Sequence, residues 1–227
     1  MDAKVVTDMS EFHEARRTRV RENNKLISSG QRGQLKKLEN IKAKENMVAK
    51  NSKPLFIHVP KTSGRHLSSV LKNKIQYYTH KPAFALKKPM PDEKWKSLDV
   101  FTIVRHPLDR FCSAYCFNRR HIPTDINEFV DYLIDCPMDI TIQGGHREHF
   151  NSQAHFVADQ HREIIVPTIY RFENLEDVYA ELSEKFDVNL KYKPSETKYQ
   201  DMLSTPSIDY LIELYQIDFS LFGYDYP

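Results

Sequence analysis

The stretch Leu55–Arg65, LFIHVPKTSGR, decides how the rest of the chain is laid out. Leu55, Phe56, Ile57 and Val59 are the bulky and β-branched residues that fill a strand buried on both faces, and Pro60 withdraws a ladder donor and ends it. From Lys61 to Arg65 the backbone must turn into a helix expected to run through Lys74, so several free N–H groups and the positive dipole end face one spot. An anion suits that spot. Gly64 lets backbone approach closely, the hydroxyls of Thr62 and Ser63 add donors, and Lys61 supplies a point charge that can follow a phosphate oxygen. His58 alternates with apolar neighbours inside the strand and reads as a satisfied core histidine.

Moving outward, DVFTIVR repeats the design: a buried strand over Val100–Val104 releases polar residues at its C-terminal end, and a helix enters through Pro107. Arg105 leaves the strand, while Arg110 and Ser113 follow three apart on one helix face. An arginine fork with a serine hydroxyl is the pairing expected for a phosphate monoester. A short strand is expected over Ile75–Thr79 and a third buried strand over Ile164–Tyr170. Helices are expected over Asp125–Asp135 with Thr124 as cap, over Glu173–Phe186, where Leu175, Val178, Leu182 and Phe186 make one stripe, and over Ser207–Tyr215. The stretch Cys136–His161 reads as loop and short helix, and DFSLFGY as an aromatic segment that seals the core. Strand and helix alternating in this way predict an α/β, P-loop-like three-layer fold, with a central mainly parallel sheet flanked by helices. Ligands of such a sheet sit beyond the carboxyl ends of its strands, so both polar strand ends should open on one edge.

Composition narrows the function. The chain has 227 residues and a formal charge of only +2, which argues against a nucleic-acid partner. Residues 1–53 hold thirteen Lys or Arg against seven Asp or Glu and the remainder nets −4. That shift marks a boundary between a basic helical N-terminal extension, 1–53, and the domain 54–227. The arm is expected to pack on its own domain or on a second subunit, as in a homodimer. Three cysteines without CxxC spacing indicate neither a disulfide framework nor a zinc site, and no metal is expected. No apolar run approaches the roughly 18 residues of a membrane span, and a polar start with no signal-like segment predicts a cytoplasmic protein.

FIHVPKTSGRHL resembles the 5'-phosphosulfate loop, and FTIVRHPLDRFCSAY the 3'-phosphate motif, of sulfotransferases that use 3'-phosphoadenosine 5'-phosphosulfate. The likeness is closest to the carbohydrate branch. In that pattern the arginine and serine of the second motif stand eight apart, as Arg105 and Ser113 do, with Pro107, Arg110 and Tyr115 in place. Looser likeness continues through HFNSQAHFV, YRFENLEDV and YQIDFSLFGY. The family often has a second glycine where Ser63 stands and an asparagine where His106 stands. The resemblance implies a sulfotransferase domain over 54–227, with donor binding by Lys61, Thr62, Ser63, Gly64, Arg65 and His66 at one end, and by Arg105, Arg110 and Ser113 at the other. Lys61 would also be catalytic, at the leaving oxygen, and an acceptor hydroxyl, on a carbohydrate by branch, would attack sulfur in line. His80 is the candidate base, by its interval before the arginine strand, and His149 the second choice.

Two other functions share part of this pattern. A P-loop kinase or nucleotide hydrolase would show GxxxxGK[ST] and an acidic residue ending the second strand, and neither is present. A non-catalytic binding protein would have no need of both anion grips.

Overall fold

The computed structural model describes residues 52–135, 147–192 and 197–227. Nearly all of the expected N-terminal extension, and residues 136–146 of the Cys136–His161 stretch, lie outside them. The described chain runs β1 (Leu55–Ile57), α1 (Gly64–Val70), β2 (Gln76–Tyr78), α2 (Ala83–Lys87), α3 (Asp92–Ser97), β3 (Val100–Val104), α4 (Pro107–Asn118), α5 (Ile126–Asp135), α6 (Ala154–Val157), β4 (Thr168–Arg171), α7 (Leu175–Phe186), α8 (Thr205–Leu214) and α9 (Gln216–Phe222). Short 3₁₀ turns at Arg147–Phe150, Phe172–Asn174 and Tyr199–Asp201 complete it.

All four strands are parallel, in the order β2-β1-β3-β4. After β2 the chain crosses back over β1 to build the other half of the sheet, so the order reverses between β1 and β3. A crevice opens there, at the carboxyl ends of those two strands, because their connections leave in opposite directions. PKTSGR follows β1 and RHPLDR follows β3, so the reversal brings both polar strand ends to one edge.

The core explains why these strands read as continuous apolar runs. Every residue of β1 and β3 is buried. Phe56, Phe101 and Ile103 pack with Leu67 of α1, with Leu71 just beyond its end, and with Leu175, Val178, Tyr179, Leu182 and Phe186 of α7. Each fully buried side chain of this kind contributes about 1.5–3 kcal/mol. In a second cluster Phe111 of α4 stacks on Phe129 of α5, meets Phe150 edge-on and packs at a tilt against Tyr215.

Several boundaries differ from the sequence expectation. The third strand begins at Thr168 rather than Ile164, since Pro167 offers no ladder donor. Thr168, Ile169 and Tyr170 are half-buried and Arg171 exposed because β4 is an edge strand, and Ile164 instead makes an isolated antiparallel bridge with Ala158. Asp125, not Thr124, caps α5, its carboxylate accepting from the amides of Asn127 and Glu128 at 2.7 and 3.1 Å. The helix expected from Ser207 starts at Thr205 under a Ser204 cap. The aromatic segment near the C-terminus is helical, and Gly223, at φ 60°, terminates it. The first helix stops at Val70, short of Lys74.

Candidate active site

The loop after β1 is fixed from inside. Thr62 is fully buried and its hydroxyl donates to the Val59 carbonyl at 2.8 Å. Lys61 and Ser63 occupy the left-handed region, at φ 70° and 68°. Non-glycine residues rarely adopt it, and those that do cluster at functional sites. Ser63 is held there by a 2.6 Å hydrogen bond between its hydroxyl and that of Tyr179 on α7. A Cβ on Gly64 would lie 2.1 Å from a ring carbon of His58, so only glycine lets the loop close onto its own strand. His58 is buried and bonded to the Tyr77 hydroxyl at 2.8 Å, the core histidine expected, although its ring also reaches the cavity. Burial, then the charges of His80, His149, Lys61 and Arg65, push its pKa down to about 3.

This geometry turns Lys61 toward open space. Its ammonium lies 4.3 Å above the Phe117 ring, and no carboxylate among the described residues pairs with it. Burial foremost, then Arg105 and Arg65, lowers its pKa to about 8. A cation so placed is stabilised by any anion that enters.

The end of β3 supplies the second cation. Arg105 is 3 % exposed, yet lines the same cavity. Its backbone is clamped by one side-chain amide: Gln153 accepts from the Arg105 N–H at 2.8 Å and donates to the Arg105 carbonyl at 2.7 Å. Gln153 is in turn placed by Asp218 of α9, whose carboxylate accepts from the amides of Gln153 and Ala154 at 2.8 and 2.9 Å. Burial pushes the Asp218 carboxyl up, while Arg110 and those two amides pull it back. The guanidinium of Arg105 lies 4.3 Å over the Phe172 ring and donates to the Thr197 carbonyl.

The third wall follows β2. His80, at φ 51°, stands 4.8 Å from His58 and 5.1 Å from His149 between ring centroids. Its Nδ1 lies 3.3 Å from a Glu148 carboxylate oxygen. His80, Glu148 and His149 bring three ligand-type atoms within 4.8 Å of one another, the set among the described residues that could hold a metal ion. Two imidazoles and a carboxylate match a zinc site in kind. The histidine–carboxylate contact is already a hydrogen bond, and Lys61, Arg65 and Arg105 line the same cavity, a field that favours anions.

The cavity so enclosed measures ≈ 840 Å³ and brings together Lys61, Ser63, Gly64, Arg65, His80, Arg105 and Ser113 of the expected residues. Three others point elsewhere. The Thr62 side chain bonds inward, and His66 is exposed with its ring 5.7 Å from that of Tyr179. Arg110 is fully buried, donating to the carbonyls of His149 and Asn151 at 2.9 and 2.6 Å. It fastens the segment that carries His149, so its side chain is no part of the cavity wall. Three residues on a helix leave an offset of about 60°, enough to put Ser113 at the rim and the longer Arg110 side chain inside.

Residues 44–225 match the Sulfotransferase family. The chain belongs to that family. No curated protein and no solved structure matches it. Its two departures from the sulfotransferase pattern are absorbed locally. Ser63 occupies the left-handed conformation that suits glycine and is tied to Tyr179. His106, where asparagine is frequent in these sulfotransferases, stacks flat on Tyr199 at 5.2 Å and meets the edges of Phe219 and Tyr224. Gln153, Asp218, Tyr179 and Glu148 escaped the sequence reading. Only the tertiary fold brings them to the motifs they support.

Proposed function

We propose that this sulfotransferase-family protein transfers a sulfuryl group from 3'-phosphoadenosine 5'-phosphosulfate to a hydroxyl of a carbohydrate. One observation carries the reading: Lys61 after β1 and Arg105 after β3 stand on one cavity at the reversal point of a parallel sheet. Open α/β sheets receive nucleotides there. The residues fit a nucleotide that is anionic at both ends. Lys61 is a half-buried ammonium beside Arg65, and Arg105 with Ser113 forms a separate cationic wall. The volume lies within the roughly 300–1,000 Å³ of small-ligand sites.

The donor supplies a sulfuryl group already activated by a phosphate leaving group. This chain's residues do the rest. The 61–65 loop holds the 5' end, and Arg105 and Ser113 hold the 3'-phosphate. His80 accepts the acceptor's hydroxyl proton as the new O–S bond forms. Lys61 meets the negative charge that builds on the bridging oxygen as the old S–O bond breaks and its electron pair leaves with the nucleotide. A cation so placed is worth more in the transition state than in the ground state. Tyr77, Thr79 and Phe117 add aromatic and hydroxyl surface to the cavity, in keeping with a sugar.

Transfer of labelled sulfate from the donor to a panel of oligosaccharides, tyrosine peptides and small alcohols tests the reading. Label on an oligosaccharide is expected. Label confined to tyrosine or a small alcohol overturns the acceptor, and donor binding with no transfer to any hydroxyl favours a binding protein.

A further inference from the structure

Burial does not account for Phe117. Its ring is 42 % exposed, while the other aromatic side chains of α4, Phe111 and Tyr115, are buried. Phe117 stands one turn after Ser113, and residues four apart share a helix face, so both line the cavity. There the Lys61 ammonium lies over the ring, 4.3 Å from its centroid. An aromatic face is the negative side of the ring quadrupole and attracts an ammonium within about 6 Å of the centroid. A carboxylate would hold the lysine more firmly, but it would also offset the charge and repel an incoming anion. A phenyl ring orders the ammonium and leaves its charge whole. Lys61 needs ordering of this kind: its backbone is set at φ 70°, but the ammonium rides on a flexible stem with rotamer entropy to lose. His149 packs on the same Phe117 ring, with centroids 4.9 Å apart and planes at 61°, which restrains how the ring tilts.

We propose that the face of Phe117 positions the Lys61 ammonium by cation–π attraction and presents it, charge intact, to the phosphosulfate end of the donor. The assignment rests on the sulfotransfer reading for its purpose, and on the ring–ammonium geometry for its content. The ammonium keeps the ring on one side and takes the bridging oxygen on the other as the S–O bond breaks. One helix thereby serves both ends of the donor, Ser113 at the 3'-phosphate and Phe117 behind the lysine. Phe117 is a positioning residue and touches no reacting atom.

Carbon–proton NMR of the full-length chain with ¹³C-labelled lysine reads the contact without donor or acceptor, the Lys61 signal being assigned by its loss in Lys61→Ala. The Lys61 ε-methylene protons are expected upfield of those of exposed lysines, shielded by the ring, in wild type and in Phe117→Tyr, and to rejoin them in Phe117→Leu. A signal that Phe117→Leu leaves in place overturns the contact. Replacing Phe117 by mono-, di- and trifluorophenylalanine then withdraws negative potential from the face stepwise while nearly keeping the ring's shape, a change to which a merely structural ring is indifferent. Single-turnover sulfate transfer at saturating donor and acceptor should fall with each fluorine, by about 3- to 30-fold over the series, the strength of one cation–π contact, and Phe117→Tyr should keep the rate. In a Lys61→Ala background the series should be flat. A flat series with Lys61 present overturns the positioning role, and an equal fall without Lys61 overturns it in favour of a ring that acts on the acceptor. The upfield signal in a protein that transfers no sulfate upholds the placement and defeats the functional reading instead.

Discussion

Lys61 is a half-buried ammonium on the cavity wall. Burial holds its pKa near 8 rather than the ordinary 10.5, so the charged form is disfavoured in the empty fold. The contribution to stability has a definite sign: the unfolded chain binds more protons between pH 8 and 10.5, and unliganded stability gains across that window as pH rises. An anion at the ammonium reverses the shift. Donor affinity should therefore be level below pH 8 and weaken above it, with proton uptake on binding. Calorimetry in two buffers of different ionisation enthalpy reads that uptake. Lys61→Ala should lower single-turnover rate by about 10²–10³ and donor affinity far less, whereas equal losses would reduce Lys61 to a binding contact. Gly64 belongs to the same scale. Gly64→Ala forces a Cβ against the His58 ring, so thermal unfolding should report a loss of about 1–3 kcal/mol. An unchanged Tm would mean that the loop closes onto β1 less tightly than described.

At the scale of elements, α4 shows what local sequence can and cannot convey. The strand that precedes it was legible because both faces of β3 are buried, which leaves an unbroken apolar run. Lys61, Arg105 and Ser113 were legible for a related reason: each stands at a fixed offset from a strand end. Arg110 was not, because three-residue spacing gives a helix face but not what the far end of a long side chain meets. What it meets are carbonyls 39 and 41 residues away. The same holds for Gln153 on Arg105, at a separation of 48, and for Tyr179 on Ser63, at 116. No local pattern encodes those pairs. The edge strand β4 was overextended for want of its neighbours: a run of Ile and Val reads as buried strand until Pro167 and the open edge are taken into account. From these contacts, Arg110→Ala should act on stability, by about 3–5 kcal/mol, since it strips two carbonyls of their donors and removes the positive charge that offsets the burial of Asp218. Thermal unfolding checks this. A drop in donor affinity with stability intact would return Arg110 to the donor site.

For the molecule as a whole, function follows from topology. A sheet ordered β2-β1-β3-β4 must reverse between β1 and β3, and the segments that leave those two strands carry Lys61, Arg65, Arg105 and Ser113. The formal charge of +2 is nearly neutral, so affinity for an anion comes from where Lys61, Arg65 and Arg105 are gathered rather than from the overall charge. The central claim is that both strand ends grip one nucleotide. Titration calorimetry of the wild-type chain and Arg105→Ala tests it directly, with adenosine 3',5'-bisphosphate, adenosine 5'-monophosphate and magnesium ATP as ligands. The account predicts that wild type prefers the bisphosphate, and that Arg105→Ala costs the bisphosphate about 2–4 kcal/mol while hardly affecting the monophosphate. A preference for magnesium ATP, or an equal loss for both adenosine phosphates, would contradict it.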